Sequence, residues 1–440
     1  MLTIPSPALP LAALTLACLP LSLAHAGDES LDPFERFELP GGVRLVVWQV
    51  GDAPRQTTFT FLPLGLALDG KHSAQYSHLV EHMIIRSTDP DALETPGISF
   101  NGETSAGALR IESYAEPDKW QESLDRHLRW LQLELVDEVV LEREKGRIEA
   151  EEQSTVMGGY THKWAEAGWN QAVRFGLPHA AVHEDVVQAG AEGILAYAKA
   201  ALARHDEILI ASVGPIDPLE IRDQLEQELV ELSRDTDPQA DIETSPTALE
   251  HVTKSATWDL AAHHYLEWIP LPDRDHSDRI AGTVLTQLVN IGLYGDKTFS
   301  AGHALASVIV VPEGRYLMLS ANLSGPDQAK QASTSFKKAL EGAGSGGSFP
   351  LPMALMQLKA QARQGLDPTA GRKQLERMKR DVSLVEAQML LTAVMNEWQL
   401  GLTFDQIGAA WEPIDVKWME AYLERIARIK NPSSLLLRPK

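Results

Sequence analysis

The chain has 440 residues, 44% of them hydrophobic, enough for a large buried core divided among roughly two to four domains. Acidic residues outnumber basic ones 61 to 39, giving a formal charge of -22. That balance argues against a nucleic-acid partner and against electrostatic docking on anionic lipid, since both need a concentrated Lys/Arg surface.

Met1–Ala26 contains no Asp, Glu, Lys or Arg, and Leu9–Leu23 is a nearly continuous apolar run. It ends in Ala24-His25-Ala26, a small-x-small pattern of the kind signal peptidase cleaves. Pro10 and Pro20 interrupt the run, which is short for a membrane span. Residues 1–26 therefore read as a signal peptide, with export to the periplasm and no membrane span after cleavage. Lipid attachment through Cys18, in Thr15-Leu16-Ala17-Cys18, is the minor alternative. Cys18 is the only cysteine, so a cleaved chain has none, and any metal must be held by His, Asp or Glu.

Residues 43–48 and 57–68 alternate as strands, and a helix follows over about 74–86. After a loop containing Gly and Asn comes the strand 109–114, then two long helices over about 118–135 and 139–155. A helix over 189–203, a strand over 207–213 and a helix over 218–232 complete the first half. Polar, Pro-containing sequence at 234–247 reads as a linker between a domain at 27–233 and one at 248–440. The second half restarts the alternation with strand 257–268, helix 277–293, strands 307–311 and 316–321, and helix 327–340. Gly342–Gly347 is a Gly/Ser loop, and 352–429 is mainly helical. The pattern predicts an α+β fold of two similar domains, without a residue-level repeat between them.

The chemistry concentrates in His78-Leu79-Val80-Glu81-His82. On a helix the two histidines stack one turn apart, and Glu81 lies about 60° around from His78. Leu79, Val80, Met83 and Ile84 form the packing face. Two imidazoles and a carboxylate suit zinc, the carboxylate being poised as a proton acceptor. With 14 histidines in the chain, chance produces this spacing in roughly a few per cent of such sequences. A third ligand is needed, and residues 141–152 are rich in candidates. Glu144, Ile148 and Glu151 share one helical face, while Glu142 and Glu149 form a rival pair at the same spacing. Pattern alone does not choose between them.

The motif resembles the His-x-x-Glu-His signature of the pitrilysin/insulinase-type metallopeptidases, which include the mitochondrial processing peptidases. Residues 37–47, Phe-Glu-Leu-Pro-Gly-Gly-Val-Arg-Leu-Val-Val, are similar to that family's opening strand. Asn101-Gly102-Glu103-Thr104 resembles its Asn-Ala-x-Thr element, with Gly102 in place of Ala. Glu144-Lys145-x-x-Ile148-x-x-Glu151 resembles its Glu-Arg-x-x-Val-x-x-Glu segment. The resemblance implies half of a clamshell of two such domains, with His78, His82 and Glu151 as ligands of Zn2+. It further implies Glu81 as the catalytic base, Glu144 as the acidic residue supporting the site, and Asn101 as a contact to the substrate backbone. Substrate is then a peptide or unfolded protein segment, laid along an edge strand.

The second half departs from the family pattern. Active single-chain members carry an Arg and a Tyr in a segment like Arg-x-x-x-Gly-Leu-Ala-Tyr, but residues 293–307 here place neither where it belongs. Tyr294 and His303 are the nearest substitutes. In the family's two-subunit enzymes one chain holds zinc and its partner supplies the remaining groups. The sequence thus predicts the zinc-bearing half of a heterodimeric zinc metalloendopeptidase. The alternative is a non-catalytic peptide-binding or scaffold subunit retaining the metal site. A plain α+β binding protein with an accidental motif is the third reading.

Overall fold

Gln56–Leu62 is buried along its whole length, which demands a neighbour on each edge and cover on each face. The computed structural model supplies all four. It describes residues 33–86, 95–157, 185–232, 253–345, 351–364, 384–429 and 432–439, apart from short gaps, together with residues 372, 373 and 376. The predicted signal peptide, the linker at 234–247 and His303 lie outside the described residues.

The first half contains β1 (Glu35–Glu38), β2 (Arg44–Gln49), β3 (Gln56–Leu62), β4 (Ile98–Thr104), β5 (Leu109–Ala115) and β6 (Leu209–Gly214). They form one sheet in the order β1-β2-β6-β3-β5-β4, with only the β2–β6 pair parallel. Its helices are α1 (Tyr76–Arg86), α2 (Trp120–Leu131), α3 (Glu138–Met157), α4 (Ala191–Leu202) and α5 (Pro218–Leu232). Leu45, Val47, Leu62, Leu109 and Ile111 present one face of the sheet to Leu79, Val80, Met83 and Ile84 of α1 and to apolar residues of the other four helices.

The second half contains β7 (Thr253–Trp258), β8 (His263–Pro270), α6 (His276–Tyr294), β9 (Ala304–Val311) and β10 (Gly314–Leu323). These are followed by α7 (Ala329–Ser345), α8 (Leu351–Gln364), α9 (Val385–Leu400), α10 (Phe404–Trp411), α11 (Val416–Ala427) and β11 (Ser433–Pro439). Its sheet runs β7-β11-β8-β10-β9, again with one parallel pair, β7–β11. In both sheets the last strand of the half inserts between two earlier ones, β6 between β2 and β3 and β11 between β7 and β8, so β2-β6-β3-β5-β4 and β7-β11-β8-β10-β9 share one topology. The fold is α+β, with two sheets rich in antiparallel pairs and helices packed on each. No described helix is long and apolar enough to cross a membrane.

Several expectations shift in detail. The strand expected at 257–268 is two strands, β7 and β8, and the tail, mainly helical among the described residues, ends in β11. The predicted loop before residue 109 contains β4. Its side chains at 99, 101 and 103 are exposed, so this edge strand lacks the apolar alternation of the strands within the sheet. α7 runs on through Gly342 to Ser345, where a loop was expected.

The far face of the first sheet is covered from the second half. Phe59, Phe61, Val46 and Trp48 pack on Ala387, Leu390 and Val394 of α9. Phe61 and Trp398 stack at 5.6 Å, and Arg36 pairs with Glu397 at 2.5 Å. The two halves therefore share a core as well as a chain.

On the helix-covered face His127 is held in the buried space between α2 and the sheet, with its Nδ1 2.9 Å from Thr60 Oγ1 and its Nε2 2.8 Å from Ser113 Oγ. Burial lowers its pKa from 6.5 to about 3, so the ring is neutral in the folded chain. Because the folded value lies below the unfolded one, this contribution to stability is complete above pH 6.5 and is lost as pH falls through about 3. Compared by urea unfolding, wild type should lose its advantage over His127→Gln by up to about 1.4 kcal/mol per pH unit across that window. A pH-independent difference would show that the ring is already charged in the native state.

Candidate metal centre

α1 starts at a tightly bonded turn. Gln75, just before it, adopts φ 66°, an uncommon conformation for a residue with a side chain, and is itself buried. Asp69 Oδ1 accepts from Ser77 N (3.1 Å), Ser77 Oγ (2.7 Å) and Tyr197 Oη of α4 (2.7 Å). Ser77 Oγ also accepts from Gly65 N at 2.8 Å. Burial raises the Asp69 carboxyl to about 7, against the lowering effect of its hydrogen bonds from Ser77 and Tyr197. Neither Asp69 nor Tyr197 stood out in the sequence.

From Ser77 to Ile85 every residue of α1 is buried. The apolar face meets the sheet and the first core as expected. The polar face is buried as well, because α3 and β4 close over it. The rings of His78 and His82 meet edge to face, with centroids 4.8 Å apart. One potential ligand atom from each of His78, Glu81 and His82 lies within 4.8 Å of the others.

Each polar group on this face has a partner that aims it. His78 Nδ1 lies 3.2 Å from Gln75 Oε1, and His82 Nδ1 lies 3.0 Å from Glu144 Oε2. An amide oxygen and a carboxylate only accept, so each ring donates from Nδ1, and Nε2 is the nitrogen through which a neutral ring would bind a metal. That arrangement is the one a metal-binding imidazole needs, held by a second hydrogen bond from its other nitrogen. Glu81, 9% exposed, accepts from Thr104 Oγ1 of β4 through Oε2 at 2.6 Å, which fixes its carboxylate.

Glu144 of α3 is 0% exposed and accepts from Arg143 Nε (2.9 Å) and Arg147 Nη1 (2.7 Å) as well as from His82. Arg86 Nε stands 3.7 Å away. Burial alone raises its carboxyl, but the bonds from His82, Arg143 and Arg147 prevail and bring it to about 2. Glu144 is thus an anion at any physiological pH, and a fixed acceptor for His82.

Asn101 is on β4 but exposed, and its Nδ2 donates to Glu112 Oε1 of β5 at 3.0 Å. Along β4 it points away from the face that carries Gly102 and Thr104 toward α1. Glu151 lies on α3, two turns beyond Glu144, but its side chain and that of Glu149 are outside the described residues. Tyr294 ends α6 and is 78% exposed.

Gly102 departs from the alanine of the resembled family for a visible reason. A Cβ there would lie 2.1 Å from Ile85 Cδ1 and 2.9 Å from Glu81 Cγ. β4 therefore approaches α1 closely, and an alanine here would have to displace the Ile85 methyl end and the Glu81 side chain. The residue pattern held this signal, but its cause needed the three-dimensional contact with Ile85.

No known family model matches the sequence, and no curated protein matches it. Solved structures do match. The first half of the periplasmic protease PqqL from Escherichia coli aligns at TM-score 0.59 and 15% identity, over 93% of this chain and 92% of that one. The chain spans about half of the whole PqqL structure, 48% of which is covered. A protease from Helicobacter pylori aligns at TM-score 0.62 and 13% identity, over 92% of this chain and 99% of that one. A peptidase M16 inactive domain from Pseudomonas fluorescens aligns at TM-score 0.61 and 13% identity, over 92% and 98%. The chain has the fold of M16-type peptidases. That fold is carried by proteases and by an inactive domain alike.

Gly102→Ala should therefore destabilise the chain by about 1–3 kcal/mol in urea unfolding, the cost of overpacking a filled site. Unchanged stability would mean that β4 and α1 are not in the contact described.

Proposed function

We propose that the chain is a zinc metalloendopeptidase for peptides or unfolded protein segments, exported to the periplasm and working as the metal-bearing subunit of a two-subunit enzyme. One observation carries the reading: His78, Glu81 and His82 converge within 4.8 Å on a buried helix of an M16-type fold, with both imidazoles set to offer Nε2. The residues fit zinc. His78 and His82 would hold it through Nε2, with Glu151 as the third ligand assigned by resemblance. When bound, the metal would supply Lewis-acid activation of water and of the peptide carbonyl.

The chain's own groups do the rest. Glu81, anchored at Oε2 by Thr104, uses Oε1 to take the proton of the attacking water and deliver it to the leaving amine. Glu144 keeps His82 in its ligand tautomer. Among the described residues β4 is the last strand of its sheet and pairs with β5 alone, so an extended peptide can add along its outer edge beside Glu81. Asn101 lies on that strand.

A non-catalytic binding or scaffold subunit is the second reading. The inactive domain among the fold's relatives favours it. So does the lack of the Arg-x-x-x-Gly-Leu-Ala-Tyr pattern at residues 293–307. A partner chain of the same fold, supplying the missing Arg and Tyr, reconciles that lack with the peptidase reading.

Metal content and cleavage of a quenched peptide library separate these readings, each protein assayed alone and with a candidate partner chain. Glu81→Gln should keep stoichiometric zinc and lose at least about a hundredfold in cleavage. Glu151→Ala should lose the zinc; loss in Glu149→Ala instead would reassign the third ligand. Zinc without Glu81-dependent cleavage in any pairing would leave the scaffold reading, and full activity of the chain alone would remove the partner.

A further inference from the structure

The second half holds a buried cation that the proposed peptidase chemistry does not use. Arg315, at the start of β10, is 5% exposed, and its Nε and Nη1 are buried with no hydrogen-bond partner. The Tyr422 hydroxyl of α11 is likewise buried and unpartnered. The two groups lie close together: a methyl group placed on Gly282 of α6 would be 3.6 Å from Tyr422 Oη and 3.7 Å from Arg315 Nη2, with the Leu271 Cδ1 methyl at 3.1 Å as the apolar wall.

The carboxylates nearby are already engaged. Asp273 accepts from Arg279 Nε at 2.7 Å. Asp278 is bound by Arg425 Nη2 at 2.5 Å and by Arg274 Nε at 3.2 Å. Four arginines, at 274, 279, 315 and 425, thus stand among Asp273, Asp275 and Asp278, and of the four Arg315 alone makes no hydrogen bond or ion pair to a carboxylate among the described residues. Burial disfavours the Arg315 charge, and Asp273 is the leading influence opposing the effect. A buried guanidinium without an acceptor is strongly unfavourable unless something pairs it. A cavity of about 610 Å³ opens at the neighbouring turn before α6, lined by Asp273, Arg274, Asp275, His276 and Arg279 and separate from Arg315 and Tyr422.

We infer that Arg315 and Tyr422, beside Gly282, form a binding site for a small monovalent anion, a halide or a short carboxylate. Such an ion would accept from the guanidinium and the phenol together and join β10, α6 and α11 around itself. A divalent oxyanion fits less well, because Asp273 and Asp278 stand close by and one cation is unmatched. The inference is independent of the zinc site and of the peptidase reading.

The test is thermal unfolding of the full chain at constant ionic strength, with gluconate replaced stepwise by chloride, bromide or formate. Wild type should gain a few degrees in Tm, saturating with ion concentration as a bound ligand requires. Arg315→Met should abolish the gain, and in gluconate it should melt no lower than wild type, since it removes an unpaired buried charge. Tyr422→Phe keeps the cation and loses one donor, so its response should need several-fold more ion; it also serves if Arg315→Met does not fold. In bromide-soaked crystals an anomalous peak should lie between Arg315 and Tyr422. A Tm that does not respond to the small anions, or the same response in both variants, would overturn the site. A response to phosphate or sulfate alone would overturn its monovalent character.

Discussion

A helix buried on all sides must find a partner for every polar group it carries, and the first half of the chain is organised around that requirement. α1 buries Ser77, His78, Glu81 and His82 within six residues. Each is answered from a different direction: Ser77 by Asp69 and Tyr197, His78 by Gln75, Glu81 by Thr104, and His82 by Glu144. These partners come from the preceding turn, from α4, from β4 and from α3. The polar face therefore fixes how four elements meet, in addition to holding a metal-binding donor set. Glu144 shows the cost of the arrangement. An acid so fully buried remains ionised because His82 and the α3 residues Arg143 and Arg147 donate to it, and the bond from His82 fixes the orientation of its ring.

The close approach of β4 follows from the same requirement. Thr104 reaches Glu81 only if the strand lies almost against α1, and at that distance a Cβ at position 102 would press on the Ile85 and Glu81 side chains. The far face of the sheet is closed by α9, from the second half, through Phe61–Trp398 stacking and the Arg36–Glu397 pair. The helix-covered face and the α9-covered face thus restrain one sheet from opposite sides, which keeps β4 and β5 in place beneath the site.

What could be read from the sequence was what is local. The helix of the motif was legible because its ligands and its apolar residues obey one 3.6-residue period. α6 was legible for the same reason, its expected span of 277–293 differing from the observed His276–Tyr294 by one residue at each end. β4 was not, because an edge strand with Ser99, Asn101 and Glu103 outward carries no apolar alternation. β11 was hidden because its pairing with β7 joins the two ends of the half. Asp69 and Tyr197 were invisible for a related reason: single polar residues 128 positions apart have meaning only after folding brings them together. Thr104 stood inside a recognised element, yet its role depends on a contact with Glu81 that no spacing rule supplies.

The shared topology of the two sheets makes the difference between the halves interpretable. By order in the chain, α6 corresponds to α1, β10 to β5, and α11, the helix preceding the inserted strand, to α4. Tyr197 on α4 gives its hydroxyl to Asp69, in the turn leading into α1, and so ties the two helices together directly. Tyr422 on α11 is the corresponding tyrosine by element, and Asp273 lies in the corresponding turn before α6, but Asp273 is taken by Arg279 and the phenol is left without a partner. Asp278 instead joins α6 to α11 through Arg425. The second half has kept a helix-to-helix tie and moved it by a few residues. The Arg315 guanidinium and the Tyr422 hydroxyl are left without an acceptor among the described residues, whereas Tyr197 in the first half has Asp69. An anion from solution beside Tyr422 would give that phenol the acceptor that Asp69 gives Tyr197 in the other half.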